Sequence, residues 1–232
     1  MSDFRGITSE SLFLLAENRF HDSKAFYEEH KPIIKRDVLQ PLSHLIEELT
    51  PFMLTVDPHI AGHVSRIRRD NRFTHDKSMY RENIWITFMR DKRAWDWCVP
   101  AFYLDASLRG AEWGVGFYSA TPTIMKVLRR RTQEQPKQML QALRKAKRAG
   151  FVLSGQPYAR PRSTPDTPAA LRPIYDCRTI RLSRYDAASL LAEPELPQRL
   201  KKAFAALAPF YSLVMQAVEE SARAGCGKAE KE

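Results

Sequence analysis

Residues 102–118 alternate with a period of two, and that pattern dictates a pair of strands with one apolar face. Phe102, Leu104, Ala106 and Leu108 point one way and Tyr103, Asp105 and Ser107 the other. After Arg109-Gly110, Trp113, Val115 and Phe117 alternate with Glu112, Gly114, Gly116 and Tyr118. The spacing predicts a hairpin, and a slip of two residues in its register still leaves Tyr103, Asp105, Gly114 and Gly116 on the polar face. A hairpin that is greasy on one side is not stable alone in water, so the rest of the chain must cover it.

The covering elements are legible as helices. Thr8 caps a helix beginning at Ser9, with Ile7 set to pack against Leu12 across its first turn. A second helix is expected from Ser23 towards Leu49, interrupted near Pro32 and Pro41, and Thr50 to Gly62 reads as a connection. Thr121-Pro122 and Gln135-Pro136 each start a helix, the second closed by Gly150. The last expected helix runs from Leu196 to Ala222 with Leu200, Phe204, Leu207, Tyr211, Val214 and Val218 inward. His63–Arg68, Asn83–Arg90 and Cys177–Arg184 read as further strands, and Tyr158 to Pro173, with four prolines, as a lid or linker. The expectation is therefore one α+β domain over residues 1–225, with a frayed tail at 226–232. Its sheet is mostly antiparallel, of about four to five strands, with N-terminal and C-terminal helices packed on it.

Cysteine usage and charge narrow the class. Cys98, Cys177 and Cys226 form no CxxC pair, which argues against a disulfide framework and a thiolate metal site and fits a reducing cytoplasm. The longest apolar run near the start, Leu12 to Ala16, is too short for a signal sequence or a membrane span. The formal charge of +10 sits wholly in the middle of the chain. Residues 126–148 hold nine Lys or Arg against the single Glu134. That composition admits a nucleic-acid surface on the helices of residues 122–149, although no recognition motif accompanies it.

Chemistry concentrates in Arg66–Asn83, RIRRDNRFTHDKSMYREN. In an extended run Arg66 and Arg68 project from one face, and neighbouring guanidinium forks are costly unless an anion or carboxylates answer them. Two readings follow. Asp70 and Asp76 neutralise the arginines in a purely structural network, or Arg66, Arg69 and Arg72 hold a phosphate or carboxylate of a small ligand. In the second reading Asp70, Asp76, Lys77 and Tyr80 are the catalytic candidates, Lys77 stabilising charge and the others handling protons. Gly114 and Gly116, two apart in a strand, mark close approach of a ligand or of another backbone. No third glycine opens a helix after them, so a dinucleotide fingerprint is rejected. His59 and His63 lie beside Pro58 and Gly62 without a zinc motif, and no metal site is assigned.

The order of the segment resembles the signature of a bacterial family of uncharacterised proteins, domain of unknown function 2461. Arg66, Arg69, Asp70, Arg72, Phe73, Asp76, Lys77, Tyr80 and Asn83 match that signature. The resemblance extends to Asn18, Phe26 and Lys31, to the run Gly114–Tyr118 and to Arg129 in the helix that follows. Ala25 stands where the family usually has tryptophan, and the stretch from Gly155 to Leu171 departs from its Pro-Lys-Gly-Tyr pattern. The resemblance implies a site but no reaction. Taken with the hairpin face, it gives Arg66, Arg69, Arg72, Asn83, Tyr103, Gly114, Gly116, Tyr118 and Arg129 as ligand-binding candidates. The expected partner is a small phosphate- or carboxylate-bearing ligand, with nucleic acid the lesser alternative and no membrane partner. No cofactor is identified, and turnover of the ligand is left open.

Overall fold

Thr8 stands in extended backbone, and its hydroxyl accepts the Ser11 N–H at 3.2 Å, so the first helix starts where its cap dictates. The computed structural model describes residues 4–72, 75–91 and 98–229, with residues 225–229 by backbone alone. Helix α1 is Ser9–His21; α2, Lys24–Ile34, runs through a π-helical turn, Lys35–Leu39, into α3, Gln40–Val56. Strands β1, Ile60–Val64, β2, Asn83–Arg90, β3, Ala101–Ser107, and β4, Gly110–Gly116, follow. Then come α4, Pro122–Glu134, α5, Pro136–Arg148, β5, Val152–Pro157, α6, Arg172–Asp176, β6, Cys177–Asp186, and α7, Leu196–Ala229. The α+β architecture holds a six-stranded antiparallel sheet in the order β1-β2-β3-β4-β6-β5. Among the described residues no helix is long and apolar enough to cross a membrane.

Three sequence expectations are corrected. The strand count of four to five is short because β5, FVLSGQP in its context, has little alternation and ends in proline. It is ordered as an end strand by antiparallel pairing with β6, Ser154 opposite Arg181 and Gln156 opposite Thr179, and an edge position tolerates Pro157. The interruption expected near Pro32 and Pro41 is a π-helical turn, Lys35–Leu39, and not a loss of helix. Pro41 has no N–H to donate, and the π turn immediately before it shifts the ladder so that Gln40 N–H reaches the Lys35 carbonyl, five residues back. The expected connection from Thr50 to Gly62 is mostly helix, since α3 continues through Pro51 to Val56.

The chain resolves into two compact units. The first comprises Met1–Phe88, Tyr103–Trp113 and Tyr185–Lys202. Within it α3 lies against β1 so closely that a Cβ on Gly62 would fall 2.9 Å from the Phe88 ring and would also strike Ile46. Leu42, Leu45, Leu49 and Met53 of α3 are fully buried, with Ile84, Ile86 and Phe88 of β2 equally shielded. The second unit comprises Met89–Phe102, Gly114–Arg184 and Ala203–Glu232. Here Phe102 meets Phe204 and Tyr211 with ring centroids 5.1 and 4.9 Å apart, and Leu207, Val214 and Val218 are buried as the helical pattern requires. The segment expected to be a lid or linker is tied down by one carboxylate. Asp176 accepts the Arg162 and Ser163 N–H groups at 2.7 Å each and the Ser163 hydroxyl at 2.8 Å. Burial pushes that carboxyl up, but these hydrogen bonds outweigh it and hold it below its usual range.

Candidate functional site

Beyond β1 the chain stays extended and keeps pairing with the run that leads into β2. Ser65 N–H donates to the Trp85 carbonyl at 2.8 Å, Arg81 N–H to Ile67 at 3.1 Å and Arg69 N–H to Met79 at 2.8 Å. Alternation then sorts the basic residues: Arg66 and Arg68 are exposed on one side, and Ile67 is buried with Arg69 half-buried on the other. Arg69 is thus the arginine of the signature that is turned inward. The far end of the segment is pinned to the first helices. Asp22, in left-handed backbone at φ 44°, accepts the Met79 and Tyr80 N–H groups at 2.8 and 3.1 Å, and the Tyr80 ring stacks on Tyr27 with centroids 4.9 Å apart.

This anchoring leaves a groove of about 840 Å³ along α1. One wall is Phe13, Ala16, Glu17, Arg19, Phe20 and His21; the other is Arg69, Asp76, Arg81, Glu82 and Asn83. Phe13 and Phe20 are 52% and 86% exposed, so the groove offers aromatic surface beside charge. At its centre Asp76 pairs closely with Arg69, which also donates to the Ser78 hydroxyl at 3.2 Å. Arg19 reaches the same Asp76 oxygen from α1 at 3.5 Å, the outer limit of a hydrogen bond. Hydrogen bonds from the Ser78 side chain and backbone, with the Arg69 charge, hold the Asp76 carboxyl down to about 2. It is a permanent anion at neutral pH. Arg81 lays its guanidinium over the Trp85 ring, 4.6 Å from the centroid.

Behind Asn83 lies a second, different carboxylate. Asn83 donates its amide to Asp105 Oδ2 at 2.7 Å, and Tyr103 donates its hydroxyl to Glu112 Oε1 at 2.8 Å, bringing the polar face of the hairpin to the groove wall. Burial, reinforced by the Glu112 charge and opposed by the Asn83 bond and Arg81, raises the Asp105 carboxyl to about 6. The groove lining and its backing therefore hold two carboxylates with opposed environments, Asp76 fixed as an anion and Asp105 able to exchange a proton near neutrality.

The remaining candidates have other surroundings. Asp70 and Arg72 form a bidentate pair at 2.9 and 2.7 Å in which both are well exposed; the Arg72 hydrogen bonds hold Asp70 down to about 2. Lys77 donates to the Asn71 carbonyl at 3.2 Å. Tyr80 is 3% exposed and burial pushes its hydroxyl up. None of these four, nor Arg66, is among the residues lining the groove. Phe73 lies outside the described residues. Gly114, Gly116, Tyr118 and Arg129 belong to the second unit. A Cβ on Gly114 would collide with the Leu182 carbonyl and lie 3.0 Å from Ser183 Cα, and one on Gly116 would lie 2.5 Å from Arg181 Cα. Of the two approaches that glycine permits, the backbone of β6 makes the one seen here. Tyr118 is fully exposed. Arg129 donates to the Ile174 and Cys177 carbonyls at 3.2 and 2.9 Å and to the Tyr158 hydroxyl at 3.1 Å.

Sequence reasoning did not assign Arg19, Glu17, His21, Arg81, Asp105 or Glu112 to a site. Asp105 and Glu112 had a readable signal, two acids on the polar face of the hairpin; Arg19 had none, because its contact with Asp76 spans 57 residues.

Fold and groove together define an α+β protein with a charged, aromatic-walled groove built on its first helix. A family model for conserved hypothetical proteins, DUF2461, matches residues 10–212. The chain belongs to that family, whose span includes the groove and the whole sheet. Comparison with curated proteins finds no match.

Proposed function

We propose that the groove between α1 and the Arg69–Asn83 segment binds a small ligand bearing a carboxylate or phosphate, with an apolar part against Phe13 and Phe20. The observation that carries this reading is the unequal hold on Asp76: Arg69 takes the close bond and Arg19 the 3.5 Å one. Arg19 thus keeps most of its donor fork for an incoming anion, at the edge of an open space of about 840 Å³. Asp76 fixes Arg69 in place, and this ion pair is part of the ligand site in the proposal, serving structure and recognition together. Proton exchange during any turnover falls to Asp105, one hydrogen bond behind Asn83.

The test is a thermal-shift screen of the full chain against carboxylated and phosphorylated metabolites, repeated on Arg19→Ala and Arg69→Ala. The proposal expects at least one compound to raise the melting temperature of the parent and to lose that effect in both variants. A screen in which every stabilising compound acts equally on Arg69→Ala contradicts it.

A further inference from the structure

Within the second unit a cluster of arginines surrounds one tyrosine. Residues 151–184 contain six arginines, no lysine and two aspartates. Of the two acids, Asp176 is engaged by the Arg162 and Ser163 backbone and the Ser163 hydroxyl. Around the ring of Tyr158 stand three guanidinium groups, Arg162 at 3.7 Å from the centroid, Arg129 at 5.3 Å and Arg178 at 5.5 Å. Arg160, Arg162 and Arg178 are exposed and make no ion pair among the described residues. A ring face attracts a cation but does not neutralise it, so three forks about one tyrosine, with the Asp176 carboxylate bonded beside them, leave an excess of positive charge that an anion would offset. The choice of arginine throughout, with no lysine, suits planar bidentate donation to oxyanions.

The neighbouring sheet face continues the same chemistry. The β5–β6 register sets Ser154 beside Arg181 and Gln156 beside Thr179 on one face, with Leu153, Gly155, Ile180 and Leu182 on the other. Ile180 and Leu182 are buried, which assigns the polar set to the outer face. The cluster adjoins this end of the two strands, since Tyr158 follows the last residue of β5 and Arg178 precedes Thr179.

We propose that the Tyr158 arginine cluster is a second anion site, which takes phosphate groups. Its donors are Arg162 and Arg178, with Arg129 holding the Tyr158 hydroxyl as a fixed platform. The phosphate belongs to a phosphorylated small molecule or to a nucleic-acid strand laid along the outer face of β5 and β6; the donor chemistry is the same for both.

Two probes distinguish these sources on the full chain: pyrophosphate by calorimetry, and fluorescein-labelled oligothymidylate by anisotropy at low and raised salt. At least one is expected to bind, and Arg162→Gln/Arg178→Gln to weaken it by about tenfold or more with an unchanged melting temperature. Binding of pyrophosphate alone assigns the site to small molecules; tighter, steeply salt-dependent oligothymidylate binding assigns it to a strand. Arg69→Ala, which disables the groove, is expected to leave either signal intact. The proposal is overturned if neither probe binds at low salt, or if the double variant binds as tightly as the parent. It is equally overturned if Lys137→Gln/Arg144→Gln/Arg148→Gln on α5 removes binding that the double variant keeps.

Discussion

Asn83 donates its side-chain amide to Asp105 Oδ2 at 2.7 Å, so a residue of the groove wall is tied to a carboxyl raised to about 6. The folded state therefore holds a proton on Asp105 between 3.8, the ordinary value, and about 6, while the unfolded chain has released it. Stability from this group is full below the ordinary value and is lost as pH rises through the folded one. The loss is about 1–2 kcal/mol, a shift of this size discounted for partial exposure. Urea denaturation of Asp105→Asn across this window is expected to give a flatter stability profile than the parent; an unchanged slope contradicts the assignment. Asp70 and Asp76 act in the opposite sense and elsewhere. Their folded values are lowered to about 2, so their contribution is present above the ordinary carboxylate value and disappears only as pH falls through about 2.

Asp22 holds the Arg66–Asn83 segment against the first helices through two backbone N–H groups. Asp22→Ala leaves both donors without that acceptor and places alanine at a positive φ. It should cost about 2–4 kcal/mol by chemical denaturation. Asp22→Asn keeps an acceptor oxygen and tolerates the conformation, so it should cost about 1 kcal/mol or less.

Gly114→Ala is expected to be severe, at about 3 kcal/mol or more, because the new methyl would meet the Leu182 carbonyl and the adjoining β6 backbone, which cannot swing aside like a side chain. The far-exposed Tyr118→Ala should fall within about 0.5 kcal/mol of the parent in the same denaturation assay.

Arg129 and Arg72 are both arginines singled out by the family resemblance, yet their truncations should separate widely. Arg129→Ala strands the Ile174 and Cys177 carbonyls and should cost about 2–4 kcal/mol. Arg72→Ala removes a well-exposed pair with Asp70 and should cost about 0–1 kcal/mol. Equal costs for the two would mean that the carbonyl contacts of Arg129 are not what fixes it.

What the sequence made legible follows from the range of each interaction. The β3–β4 hairpin was readable because its alternation is local, and the bond between Tyr103 and Glu112 puts both on the face expected for them. The caps at Thr8 and Thr121 were readable for the same reason, each accepting an N–H three residues on. Strand β5 was not, since its order comes from pairing with β6 and not from its own pattern. Half of the groove was readable: the Arg69–Asn83 wall is one contiguous segment, whereas the α1 wall is brought to it by Asp22 and by Arg19, both 57 residues or more from their partners. Charge counting also could not divide the arginines of the segment. Period-two backbone does that, sending Arg66 and Arg68 outward and Arg69 to the groove.

The most direct measurement of the central claim is calorimetric titration of the parent chain and Arg19→Ala with the best compound from the carboxylate and phosphate screen. If Arg19 supplies the free donor fork, the variant should bind at least about tenfold more weakly, with its melting temperature without ligand within about 2 °C of the parent. Equal affinity in the two proteins would show that the anion is held elsewhere and that the groove beside Asp76 is not the ligand site.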